Sequence, residues 1–141
     1  MNRNITIIGL MSGTSLDGVD VAAVRFNSKQ LQQFEILATK TYAYNNEWKN
    51  KLSEAHQLSA YHFLKLHKHY GQYLGEIVLA FMQEFNLKPD YIASHGHTIF
   101  HEPATRFNFQ LGDGAFIAAT ARITTVSDFR TLDIACGGQG A

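Results

Sequence analysis

The chain has 141 residues, enough for one domain with its own core and no disulfide staples. Its 12 basic residues balance its 12 acidic ones, which excludes the electrostatic footprint of a nucleic-acid or anionic-membrane partner. The single cysteine, Cys136, excludes an internal disulfide framework, and the N-terminal apolar run is too short for a signal peptide or a membrane span, so the chain reads as cytoplasmic.

In chain order, Ile5 to Met11 is an apolar, β-branched run that predicts a buried strand. Val19 to Phe26 predicts a second strand, Asn27-Ser28-Lys29 a turn, and Phe34 to Tyr42 a third strand. Short connections favour an antiparallel three-stranded meander. Asn46 to Ala55 predicts a short helix. Ser59 then caps a long one to about Phe85, with Leu64, Gly71, Leu74, Val78, Phe81 and Phe85 as its apolar stripe and Asn86 and Pro89 closing it. Tyr91 to Ser94 is a short central strand and Phe107 to Leu111 an extended piece. Asp113 caps a helix over Ala115 to Ala121, and Thr124 to Ser127 is a last strand. The order implies an α/β layer fold with a mixed sheet flanked by helices.

The segment GLMSGTSLDGVD, between the first two strands, holds more small polar residues than a turn needs. Gly13, Thr14 and Ser15 offer backbone N–H groups for an anion nest, with hydroxyls beside them. Asp17 is suited to Mg²⁺, which takes carboxylate, water and phosphate oxygens. The segment lacks the Walker lysine, and a polar hairpin turn is an equally good reading of these residues taken alone.

Further along, SHGHTIFHEP crowds His95, His97 and His101 together. Alternation along an extended segment scatters those side chains, and no cysteine is near, so the segment reads as hydrogen-bonding and not as a zinc site. Arg130, in DFR, carries a planar fork suited to a carboxylate or phosphate, against a structural pairing with Asp128 or Asp133 at a strand end. His62, His67 and His69 read as a solvated stripe. Tyr61, Phe63, Tyr70 and Tyr73 read as packing, or as an exposed face for a two-fold homodimer.

MSGTSLDGVD, SHGHTIFHEP, FQLGD and DFRTLDIACGGQGA together resemble the anhydro-N-acetylmuramic acid kinases, in the same order and across the whole chain. That resemblance implies a ribonuclease-H-like lobe of the actin-like ATPase and sugar kinase superfamily. It implies ATP and Mg²⁺ as cofactors, with the ATP phosphates held by the first hairpin turn, Gly13, Thr14, Ser15, Leu16, Asp17, Gly18, Val19 and Asp20, and Mg²⁺ at Asp17, directly or through water. It implies an amino-sugar substrate oriented by Ser94, His97, Thr98, Asp128 and Arg130. The family usually has glutamine at His97; both side chains donate and accept hydrogen bonds. Family members run on past Ala141, so residues 1–141 resemble an N-terminal lobe whose partner lobe, with the general base, lies outside this chain. The alternatives are a non-catalytic actin-like nucleotide-binding or chaperone-like module, or a kinase for another sugar.

Overall fold

The computed structural model describes residues 4–140, the Leu31 side chain excepted. Ala141, the last residue of the glycine-rich tail, lies outside them. Strands β1 (Asn4–Ser12), β2 (Gly18–Asn27) and β3 (Gln30–Ala43) form the antiparallel meander. Helix α1 (Asn46–Ser53) and the long α2 (Ala60–Glu84) follow, then β4 (Tyr91–Glu102), β5 (Phe107–Leu111), α3 (Gly114–Ala121), β6 (Thr125–Ser127) and α4 (Phe129–Ala135). The sheet runs β3-β2-β1-β4-β5, with β6 also on β4. β1, β4 and β6 are mutually parallel and β5 is antiparallel to β4.

Helices α1, α2 and α3 start where a side chain relieves their free N–H groups. Asn45 Oδ1 accepts from Trp48 N–H at 2.9 Å, Ser59 Oγ from His62 N–H at 3.5 Å and Asp113 Oδ1 from Ala115 N–H at 2.8 Å. α2 stops at Asn86, whose φ is +50°, and Leu87 N–H returns to Met82 C=O at 2.9 Å, closing the last turn as a Schellman motif. Period-two alternation puts Ile8 and Leu10 of β1 and Val19, Val21 and Ala23 of β2 on one face. There they meet Tyr70, Leu74, Val78 and Phe81 of α2 and Ile117 of α3 in one core. The opposite face of the meander is largely bare: Phe34 is 60% exposed and Ile36 59%.

Four expectations need correction. β4 does not end at Ser94: a bulge at Gly96 (φ +72°) turns it off β1, and it continues to Glu102 against β5. The DFR stretch, read above without a helix, follows β6 directly and opens one: Asp128 takes a left-handed conformation (φ +57°) and α4 begins at Phe129. Leu64 and Phe85 lie at the edges of the helix stripe and are exposed, whereas Gly71, Leu74, Val78 and Phe81 are buried. Finally, no exposed aromatic face runs along α2: only Tyr61 of the four aromatics points out, while Phe63, Tyr70 and Tyr73 pack inward. The mixed sheet, its antiparallel start and its parallel β4 make this a ribonuclease-H-like lobe of the actin-like ATPase and sugar kinase type.

Candidate functional site

The carboxyl ends of parallel β1 and β6 flank β4 where it bends at Gly96, at the edge where open α/β sheets place ligands. In register, Leu10 faces Ser94 and Ser94 faces Ser127, and after the bulge Ser12 faces His97. The polar loop and the SHGHT segment therefore meet at one place.

The loop is built around Asp17. Ser15 Oγ donates to Asp17 Oδ1 at 2.7 Å and Gly18 N–H to the same oxygen at 3.0 Å. The Ser15 hydroxyl first, and the backbone N–H groups with it, hold this exposed carboxyl below the usual aspartate range. Leu16 sits at φ +57° to make the bend. Among the described residues, the Thr14 and Ser15 N–H groups have no backbone partner, which leaves them open to a ligand. Gly18 closes the loop: a Cβ there would stand 2.4 Å from Tyr42 O, so no side chain fits. Val19 is core, and Asp20 points to the bare face, where Thr41 Oγ1 donates to it at 2.5 Å. Asp20 thus lies in an open groove of about 640 Å³ with Gly9, Met11 and Thr39.

A buried hydroxyl chain ties the loop to β4. Tyr44 OH and Tyr70 OH are 2.5 Å apart, Tyr70 OH donates to Ser12 Oγ at 2.9 Å, and Ser12 Oγ donates to Gly96 O at 3.1 Å. With Tyr70 and Ser12 both donating onward, Tyr44 is the donor to Tyr70. Burial pushes both phenols above their ordinary value, so they remain protonated donors. Sequence reading assigned Tyr70 to packing and passed over Tyr44.

A cavity of about 440 Å³ opens between β4, β5, α3 and α4, lined by Ser94, His95, Asn108, Gln110 and Asp128 among others. Its volume is in the range of ligand pockets. Among the described residues five buried side-chain polar atoms lack a partner, and four of these belong to cavity residues: Ser94 Oγ, His95 Nε2, Asn108 Nδ2 and Gln110 Nε2. Unpartnered buried polar atoms are costly, and a cluster of them marks a place prepared for something polar.

Of the sugar-site expectations, Ser94 and Asp128 line this cavity. Thr98 stands behind the wall and donates to Gln110 Oε1 at 2.7 Å. His97 is buried on the α2 side, its ring edge-on to Tyr70 at 6.4 Å, and does not line the cavity. Arg130 lies on α4 just outside, and its charge joins burial in lowering the His95 pKa. The pairing of Arg130 with Asp128 or Asp133 is not found among the described residues: Asp128 accepts from Thr131 Oγ1 at 2.6 Å and Asp133 from Gly140 N–H at 2.7 Å. His67 is no simple surface residue either, since its Nδ1 accepts from Gly112 N–H at 2.9 Å. Asn108, Gln110 and His95 were missed as site residues. The available signal was the two-residue spacing of the two amides, which puts both on one face of a strand.

The sequence matches the family model of anhydro-N-acetylmuramic acid kinase over residues 5–141. The chain belongs to the anhydro-N-acetylmuramic acid kinase family. It is 37% identical over 150 residues to the anhydro-N-acetylmuramic acid kinase of Pseudoalteromonas translucida, covering 96% of this chain and 37% of that protein. It is 37% identical over 142 residues to the one of Acaryochloris marina, covering 96% of this chain and 38% of that protein. The relative from Caldanaerobacter subterraneus is 35% identical over 150 residues, with 96% and 38% covered. This member of the anhydro-N-acetylmuramic acid kinase family therefore spans under two fifths of the length of those relatives. Among its described residues no helix is long and apolar enough to cross a membrane, and no three His, Cys, Asp or Glu side chains gather into a metal-holding cluster.

Proposed function

We propose that this chain supplies the phosphate loop and part of the sugar pocket of an ATP-dependent kinase acting on 1,6-anhydro-N-acetylmuramic acid. The reaction is phosphorylation at O6, with water opening the anhydro bridge at C1 to give N-acetylmuramic acid 6-phosphate, in cytoplasmic cell-wall recycling. The observation that carries this reading is the adjacency of the 12–18 loop to β4: Ser12 pairs with His97 and bonds Gly96 O, two residues beyond Ser94 of the cavity. A phosphoryl transfer needs that juxtaposition, because positioning and charge neutralisation do most of its catalysis.

In this reading Gly13, Thr14, Ser15 and Leu16 cradle phosphate oxygens, and Gly18 and Val19 anchor the loop in β2. Asp17 fits Mg²⁺: it is exposed and ionised, and its Oδ2 has no partner among the described residues. The ion would neutralise charge developing on the transferred group. Ser94 and Asp128 contact the sugar, Thr98 orients the Gln110 amide, and Arg130 faces the sugar carboxylate from the rim. Asp20 and His97 act through the loop and the Tyr70 contact, not on the ligand. The base that activates water comes from outside these residues, so the chain alone turns over negligibly.

The test is Mg-ATP binding by calorimetry, with mass detection of phosphorylated sugar when 1,6-anhydro-N-acetylmuramic acid is added. We expect Ser15→Ala and Asp17→Asn to weaken nucleotide binding by roughly tenfold each, the scale of one charge-assisted contact, and the chain alone to yield no sugar phosphate. Unchanged binding in both variants would remove the phosphate-loop assignment.

A further inference from the structure

We propose that Tyr44 is a positioning residue for the polar loop and fastens it at both ends: its backbone N–H holds the Asp17 end, and its hydroxyl, acting through Tyr70, holds the Ser12 end against β4. This rests on the phosphate-loop reading above and names what keeps that loop in one shape.

The direction of the hydroxyl chain is fixed at its far end. Gly96 O is a carbonyl and only accepts, so the one hydrogen of Ser12 Oγ goes to it, at 3.1 Å. Ser12 Oγ then accepts from Tyr70 OH at 2.9 Å, and Tyr70 OH accepts from Tyr44 OH at 2.5 Å. Every hydrogen in the chain is committed, and no member can turn without breaking its neighbour's bond. The Ser12 hydrogen is spent on β4, which separates Ser12 from Thr14 and Ser15, whose N–H groups stay open. At the other end of the loop, Tyr44 N–H donates to Asp17 O at 3.1 Å, just past the pairing of Gly18 with Ala43. The span from residue 13 to residue 16 therefore stands on two footings, and both lead to Tyr44. Within the span the described bonds are Leu16 N–H to Gly13 O, at 3.5 Å, and Ser15 Oγ to Asp17 Oδ1.

Packing holds the rings that carry the chain. The Tyr44 ring lies 6.5 Å from Tyr70 and 6.4 Å from Tyr73, and Trp48 stacks on both of those. Tyr44, Tyr70 and Ser12 are all buried. Stability alone does not account for their hydroxyls. Phenylalanine fills nearly the same space as tyrosine, and replacing both partners of a buried bond by apolar groups of like shape is close to neutral. Buried hydroxyls bring a desolvation cost that an apolar core avoids. What they add is a fixed register between the loop and β4. A loop already held in shape binds an anion without first losing its own freedom, so its order is read as affinity.

The experiment measures Mg-ATP affinity, urea stability and amide hydrogen exchange on the chain, on Tyr44→Phe, on Ser12→Ala, on the double variant Tyr44→Phe with Tyr70→Phe, and on Val78→Ala, a truncation in the same core. The three variants that break the hydroxyl chain should bind Mg-ATP roughly tenfold more weakly, the scale of one hydrogen bond. Their Leu16 and Gly18 amides should exchange faster, while those of α2 keep their protection relative to global stability. The double variant should regain stability over Tyr70→Phe without regaining affinity. Val78→Ala should lose stability with its affinity unchanged. Affinity that tracks stability across the set overturns the inference, and so does a Tyr44→Phe chain whose loop amides exchange as before. The phosphate-loop reading fails separately: a chain that binds no Mg-ATP removes it, and the exchange of Leu16 and Gly18 still decides whether Tyr44 holds the loop.

Discussion

Tyr70 carries a hydroxyl into the core and so links stability to the site. Tyr70→Phe leaves Tyr44 OH buried without its acceptor and takes the donor from Ser12 Oγ. Stranding such groups costs about 1–3 kcal/mol, to be read from urea unfolding at unchanged m-value. The double change Tyr44→Phe with Tyr70→Phe should recover part of that loss, because removing both partners leaves no orphaned phenol. Asp17 gives a second residue-scale prediction. Its folded pKa is depressed, so the loop order it supports is present above the unfolded value and lost as pH falls through the folded one. The Gly18 amide shift should therefore titrate with a midpoint under about 3.9, the value of a free aspartate. A midpoint at or above that would show that the Ser15 bond does not form in solution.

At the scale of elements, α2 and α3 approach through Gly71 and Gly75, four residues apart on one helix face. A Cβ on Gly71 would lie 2.4 Å from Asp113 O, and one on Gly75 would lie 2.6 Å from Thr120 Cβ. Glycine to alanine inside a helix ordinarily gains about 1 kcal/mol. Here a backbone carbonyl cannot step aside, so Gly71→Ala should lose a net amount of about 1–3 kcal/mol, measurable as a lowered denaturation midpoint. Because Asp113 N–H bonds His67 O and Gly112 N–H bonds His67 Nδ1, the same change should disturb the cavity floor. Gly71 was legible in the sequence as a member of the apolar stripe, but its reason was not, since the contact joins residues far apart in sequence. The caps at Ser59 and Asp113 were legible because capping is local. The bend of β4 was not: Gly96 alone cannot announce that β1 ends and β5 begins there. The DFR helix was hidden because it is short and a left-handed Asp128, not a side-chain cap, precedes it.

For the whole molecule, the meander's uncovered face sets behaviour in solution. Phe34 pairs with Phe26 and Ile36 with Val24, so two exposed apolar side chains of β3 sit beside two half-buried ones of β2. Patches of that kind bind apolar dyes. The chain should enhance anilinonaphthalene sulfonate fluorescence in its folded state, and Phe34→Lys with Ile36→Lys should abolish most of that signal without altering far-ultraviolet circular dichroism. The order of elements, the meander and the placement of the loop at a strand end followed from periodicity and turn chemistry. Which motif residues share a cavity did not, because that depends on β4 curving past β1, which brings Asn108 and Gln110 beside Ser94 and leaves His97 behind.

Trp48, the chain's single tryptophan, stacks 4.5 Å from the Tyr73 ring and 5.3 Å from Tyr70, with the Lys51 ammonium 5.0 Å from its own ring. Tyr70 in turn reaches the first residue of the polar loop. The molecule therefore carries an intrinsic optical reporter one residue removed from its polar loop. Tyrosine-to-tryptophan energy transfer, and the quenching that goes with it, can time how fast that loop orders without any label attached.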